Sequence, residues 1–459
     1  LTSLITSLLV FLFSPAIVVS QSLVINEVMF ANRTALADAD GDTPDWVELY
    51  NADTVTLQLN QFALSDDHEL EDVWPLPDYL LRPGEYLVIF ASGKNRRTGN
   101  EFHTNFKLGL MEEQLFLLDA LGDVIDCTAI QCVPADHSLV CIPDGETARR
   151  KVALPTPGQS NNRAEVVEIN YRPDTLWFDR YGGFYEHAID LQMFNRHSQN
   201  SIRYTLDADA PDERDAVYSG VVALHDLTRE KIRFADEIDN GFELGEDITK
   251  APVVRAQVFS EGCPASKILT EVYFIGSQYR NRYKVPVVSI VTDEDNLFDP
   301  DQGIYVEGNH DNYWQSGKAW ERPIELTIYN QNRQKVINQQ AGIRIHGAGS
   351  RQRPQKSLRL YARGKYGDSL FSYPFFSQKP HLQTFNRLLL RSVKDWGETL
   401  LKDDLAQQLV SDMNIDYTAS QPSVVFINGE YWGIYSLRER QDEFYVAANY
   451  NTPVTPLNV

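Results

Sequence analysis

Cysteine is scarce in this chain: Cys127, Cys132, Cys141 and Cys263 are the only four in 459 residues. So few exclude a disulfide-dense scaffold, and without a matching His/Cys quartet they exclude a structural zinc module. Three of them crowd into "CTAIQCVPADHSLVC", a spacing compatible with one local bridge. Positive charge is also in deficit, with 42 Lys+Arg against 64 Asp+Glu and a net charge of −22. Such a surface repels polyphosphate backbones, which argues against a nucleic-acid or anionic-membrane partner.

Long apolar runs are lacking except at the start, "LTSLITSLLVFLFSPAIVVSQS". The run Leu8 to Phe13, the break at Pro15 and the small residues Val18 and Ser20 read as a secretory signal peptide over 1–20, too short and interrupted for a membrane span. The mature chain is expected to begin near Gln21, to be exported, and to carry no transmembrane segment. Initiator Met and basic n-region are missing, so the chain reads as cut at its start.

At this length about three domains are expected. From 22 to 162, short strands with Gly/Asp/Asn turns ("LVINEVMF", "DWVELYN", "EYLVIFAS", "EQLFLLDALGDVIDC") predict an all-β sandwich closed by the boundary "LPTPGQSNN". These segments resemble the lamin-tail domain, an immunoglobulin-like module that also occurs in secreted bacterial proteins, which implies a structural or adhesive use. Asp38, Asp40 and Asp42 alternate as calcium ligands would, but an EF-hand loop fails: Gly41 stands at position 4 and Leu49 at position 12. A solvated loop and an incomplete calcium site both stay open.

A second β segment, 164–276, contains "YTLDADAP" and "RAQVFSEGCPAS". It resembles the small fibronectin-III-like sandwich appended to chitobiases and hexosaminidases, with Ala208 and Asp209 where that hairpin usually has Gly and Ser. The resemblance implies a spacer.

Within the acidic chain, one absence stands out: between Glu325 and Asp368 there is not one carboxylate, while Arg344, Arg351, Arg353, Lys356, Arg359, Arg363 and Lys365 fall there. Period two places Lys356 on the apolar side of the strand "KSLRLYAR", where an unpaired ammonium costs several kcal/mol and calls for an anion. It follows "HGAGS", whose backbone N–H groups, with Ser350 and Arg351, suit a phosphate. A solvated basic strand with a snorkelling Lys356 fits the same charge pattern.

The strands "VPVVSIVT", "IELTIYN", "KVINQQAGIRIHG", "KSLRLYAR" and "FNRLLLRS", a helix with Leu400, Leu401, Leu405, Leu409, Val410 and Met413 at helical spacing, the Asn428-Gly429 hairpin, and a further helix from about Gln441 predict a kinase-like N-lobe. Residues 283–459 resemble the spore-coat CotH kinase family. They match its core motif at His346, Gly347, Ser350, Arg351, Pro354, Lys356 and Ser357, with Gly349 and Gln355 as departures. The resemblance implies an atypical kinase using ATP and Mg²⁺ to phosphorylate protein hydroxyls. It would place Arg351 and Lys356 at the phosphates, beside the Ser350 donor, and Tyr435 and Glu439 near adenine; Asp403 and Asp404 read first as a solvated helix face, with orientation of Lys356 by one of them as the alternative.

The expected fold class is therefore multidomain: two all-β immunoglobulin-like sandwiches followed by an α+β kinase-like N-lobe truncated at the C-terminus. No metal ligand or catalytic residue is assigned, since the catalytic carboxylates are expected beyond Val459 and the chain alone is expected to be inactive. The partner would be a protein substrate or an extracellular assembly at the cell surface. The alternative is a non-catalytic secreted adhesion or matrix scaffold.

Overall fold

The structure, a computed structural model, describes residues 23–454 except 68–69, 71–72, 110–113, 130–131, 149, 235–247, 393–401 and 414. The signal-peptide reading, Leu400 and Leu401 lie outside the described residues. The chain forms two compact units, 1–168 and 169–459.

In the first unit, β1 (Leu23–Met29), β2 (Asp45–Asn51), β3 (Ala63–Ser65), β4 (Trp74–Pro75), β5 (Tyr86–Ala91), β6 (Gln114–Leu118), β7 (Val124–Ala129), β8 (Ser138–Cys141) and β9 (Arg150–Ala153) build two sheets. Their orders are β9-β8-β1-β2-β5 and β4-β3-β6-β7. Leu23, Ile25, Val47 and Leu49 of one sheet share a buried core with Leu64, Leu115 and Leu117 of the other. This is the expected immunoglobulin-like sandwich, and alternation in β1, β2 and β6 is what fills it. Cys127 and Cys141 are free thiols, so the three crowded cysteines form no local bridge.

The second unit corrects the expected fold class: its central element is a closed seven-stranded β-barrel, not a second immunoglobulin-like sandwich, while the strands and helices of the expected α+β region are present. The barrel strands are β10 (Val287–Val291), β11 (Arg322–Tyr329), β12 (Lys335–His346), β13 (Ser357–Tyr361), β14 (Arg387–Ser392), β15 (Ser420–Ile427) and β16 (Glu430–Arg438). They run in the order β10-β11-β12-β13-β14-β16-β15, and β15 closes the ring by pairing parallel to β10, Val287 against Val424. Closure removes both sheet edges. Local alternation predicts each strand but is silent on this pairing, which joins residues far apart in sequence. Inward residues Ile290, Leu326, Ile343, Ile345, Leu358, Leu360, Leu388, Leu390, Val425 and Leu437 form the barrel core.

Residues 183–275 contribute a six-stranded sheet to this unit, and two two-stranded ribbons stand beside it. That sheet does not stand apart from the barrel: Val253 and Phe274 share a buried cluster with Val287 and Phe426. The Asn428-Gly429 turn docks there as well, with the Ala251 N–H donating to the Gly429 carbonyl at 2.8 Å. Helix α1 (Lys402–Leu409) lies between β14 and β15 in sequence, and α2 (Glu443–Tyr450) follows β16. The helical spacing of α1 holds, but Leu405 and Leu409 are exposed, so its apolar stripe is not packed into the described core. No helix among the described residues is long and apolar enough to cross a membrane.

Candidate functional site

The loop joining β12 to β13 carries the residues singled out by sequence. His346 ends β12, and Gly347 follows with φ of +113°. A Cβ at Gly347 would lie 2.2 Å from Ser350 Oγ, so both conformation and space require glycine there. One 3₁₀ turn, Gly349–Gln352, then leads to Lys356.

The two motif cations are turned inward. Arg351 is 8% exposed; its Nε donates to the Gly347 carbonyl at 2.6 Å, and one terminal nitrogen donates to the carbonyls of Tyr313 at 3.0 Å and Gln315 at 2.7 Å. Lys356 is 4% exposed, and its Nζ donates to the carbonyls of Arg351 at 2.7 Å and Arg353 at 2.9 Å. The ammonium also lies over the rings of Tyr313 and Tyr305, at 4.3 and 5.2 Å. Burial lowers the Lys356 ammonium from its ordinary 10.5 to about 8.

Tyr435 is fully buried, and its hydroxyl donates to the Lys356 carbonyl at 3.1 Å. Tyr305 accepts from the Lys356 N–H and from Trp432 Nε1, both at 3.0 Å. Glu439 is buried too, paired with Lys379 at 2.7 Å and accepting from the Ala419 N–H and the Asn449 amide. Ser350 is half-buried at the loop surface. The structure thus gathers Ser350, Arg351, Lys356 and the Tyr435 hydroxyl around one loop, while the Glu439 carboxylate is engaged in a separate ion-pair network.

The anion for much of the basic stretch comes from just upstream of it. The Glu321 carboxylate, fully buried, holds Arg344 at 2.6 Å and Arg363 at 2.8 Å, with Lys365 at 3.9 Å, and accepts from the Tyr366 hydroxyl. Asp403 pairs with Arg391 at 3.0 Å and with Arg438, and Asp404 pairs with Arg438, so both α1 carboxylates serve arginines of the barrel wall instead of Lys356. Asp442 holds Arg387 at 2.9 Å.

What remains is a cluster around His346. Arg359 Nε donates to His346 Nδ1 at 2.6 Å. Burial, then the charges of Arg359, Arg440, Arg351 and Arg391, hold the imidazole down to about 3. Arg440, on the segment after the hairpin, was not singled out by sequence; its signal is the basic residue in "RERQD" next to a carboxylate that Arg387 already occupies.

Elsewhere, Asp38, Asp40 and Asp42 do converge, but on Lys94, whose Nζ lies 2.6, 2.8 and 2.7 Å from them. The ammonium takes the position a cation would need. Among the described residues this trio is the one cluster of three metal-ligating side chains.

Residues 343–455 match the family model described as CotH kinase protein, and residues 19–131 match the one described as Lamin Tail Domain. The chain therefore carries a CotH-kinase-like domain and an N-terminal lamin-tail-like domain. Neither match reaches 164–276, and the sheet order there does not show a chitobiase-type module. No curated protein matches this chain.

Proposed function

We propose that the protein transfers the terminal phosphoryl group of ATP to hydroxyls of protein substrates outside the cell, with the lamin-tail-like domain serving attachment at a surface or assembly. The observation that carries this reading is the placement of the carboxylate-free basic stretch, with its glycine-dependent loop, inside the CotH-like segment. In this reading the nucleotide's phosphates approach the loop formed by Ser350, Arg351 and Lys356, and Tyr435 holds its outgoing strand through the Lys356 carbonyl. Orienting and neutralising a transferring phosphoryl group is most of what such catalysis asks of a protein. Mg²⁺, arriving with the nucleotide, would supply charge neutralisation at the phosphates.

The test is transfer of label from γ-labelled ATP to a protein acceptor by the native protein, with and without Mg²⁺, next to Lys356→Met. Label that appears with the parent and vanishes with the variant supports the reading. Nucleotide binding without any transfer would favour the non-catalytic scaffold, a role to which the wholly internal bonding of Lys356 is equally suited.

A further inference from the structure

Outside the two matched segments, the ribbon formed by Leu176–Phe178 and Met193–Asn195 carries an aromatic pair that the core does not cover. Trp177 and Phe194 stand directly opposite each other on the two strands, and each is 40% exposed. Their rings lie within 16° of parallel, with centres 5.9 Å apart. We propose that this face is the binding site for an uncharged, β-linked oligosaccharide of glucose-type sugars, stacked on the two rings. The proposal is independent of the kinase reading.

Three observations carry it. First, parallel rings squarely face to face would sit closer than 5.9 Å, so the pair is offset like two steps and each ring keeps surface open to solvent. A sugar whose hydroxyls are all equatorial presents a flat, apolar face of C–H bonds. That weakly positive face suits the negative face of an aromatic ring, and two adjoining rings give footing to two successive sugars.

Second, the rest of the face offers hydrogen bonds without a surplus of charge. The pairing runs on past the named strands, with the Asp179 N–H donating to the Gln192 carbonyl at 3.0 Å. Alternation then puts Thr175, Asp179, Gln192 and Arg196, all exposed, on the same side as the two rings and at its ends. Among the described residues, Gln192 and Arg196 donate only through their main-chain N–H groups, to Asp179 and Asp174 at 2.8 Å each, which leaves both side chains for a ligand. Asp179 and Arg196 balance each other, in a chain of net charge −22. Such a face suits sugar hydroxyls and not a polyanion or an anionic membrane. Third, the platform is fixed from behind. Phe178 and Met193 point the other way into a buried cluster with Val254 and Tyr273. Asp174 fastens the chain after the ribbon by accepting from the Asn195 and Asn200 amides at 3.1 and 2.9 Å. Rings held in place before the ligand arrives lose little entropy on binding it.

Calorimetric titration of the chain with cellohexaose, and separately with chitohexaose, tests this and distinguishes a plain glucose chain from its N-acetylated counterpart. At least one is expected to bind, with an affinity that added salt leaves unchanged, because no charges pair. Trp177→Ala and Phe194→Ala are each expected to weaken binding by about tenfold or more, and Trp177→Tyr to retain most of it. Both side chains lie at the surface, so the unliganded thermal midpoints of the variants should stay close to the parent's, which separates lost binding from lost fold.

Failure of both oligosaccharides to bind, or equal binding by Trp177→Ala and the parent, overturns the site. A dimer in sedimentation that Trp177→Ala abolishes, with neither oligosaccharide bound, assigns the face to a second copy of the chain and overturns it as well.

Discussion

A buried lysine without a carboxylate is the feature of single residues most at odds with a simple reading of charge. Lys356 has no anionic partner because the 3₁₀ turn before it leaves the carbonyls of Arg351 and Arg353 unsatisfied, and two tyrosine faces complete its shell. A neutral amine has two N–H groups, which is enough for both carbonyls. The folded-state value near 8 lies below the ordinary 10.5, so the cost of holding the ammonium is fully present below pH 8 and is relieved as pH rises from 8 to 10.5, where the unfolded chain binds the proton more tightly. The stability of the parent relative to Lys356→Met should therefore increase by about 3 kcal/mol across that interval. Urea denaturation of both proteins at pH 7.5 and 10.5 checks it, and an unchanged difference would mean that Lys356 is not titrating in the buried site.

Among the elements, the β15–β16 hairpin was the most legible. Asn428 and Gly429 take φ of +49° and +82°, the left-handed pair that a two-residue turn matching strand twist requires. Its tertiary role was not legible: a Cβ on Gly429 would lie 2.2 Å from the Ala251 carbonyl. Gly429→Ala is expected to cost about 2 kcal/mol or more, while Gly349→Ala, with open space at its Cβ and no positive φ, should change stability little. Equal denaturation midpoints for the two variants would contradict this. Helix α1 shows the opposite limit, since the spacing of Leu405 and Leu409 announces a helix but not what covers it.

On the scale of the whole molecule, the sandwich unit holds charge in a way composition could not show. Glu27 and Glu48 are both fully buried, and the boundary run "PTPGQSNN" is tied to them: the Thr156 N–H donates to Glu27 at 2.9 Å and the Gly158 N–H to Glu48 at 2.5 Å. Desolvation raises both carboxyls, Glu48 to about 8. A raised folded-state value means a contribution fully present below pH 4.5 and lost as pH rises through 8. This unit should therefore gain stability from pH 8 to about 6.5; below that, buried His103, whose value is lowered by desolvation and nearby cations, acts in the opposite direction. Glu48→Gln should flatten the dependence in calorimetric melts, and an equally steep profile in the variant would rule out Glu48 as its source.

The sequence by itself determined the strands, the turns, the sandwich core, the basic stretch and the inward placement of Lys356, because alternation, turn chemistry and charge spacing are local properties. Only the tertiary structure decided that β15 returns beside β10 to close a barrel, that Glu321 gathers Arg344, Arg363 and Lys365 of the basic stretch, and that Arg359 turns to His346 while Arg440 meets Asp442 at 3.4 Å. Those outcomes depend on which distant segments pair, and burial and counter-charge are settled only once they do.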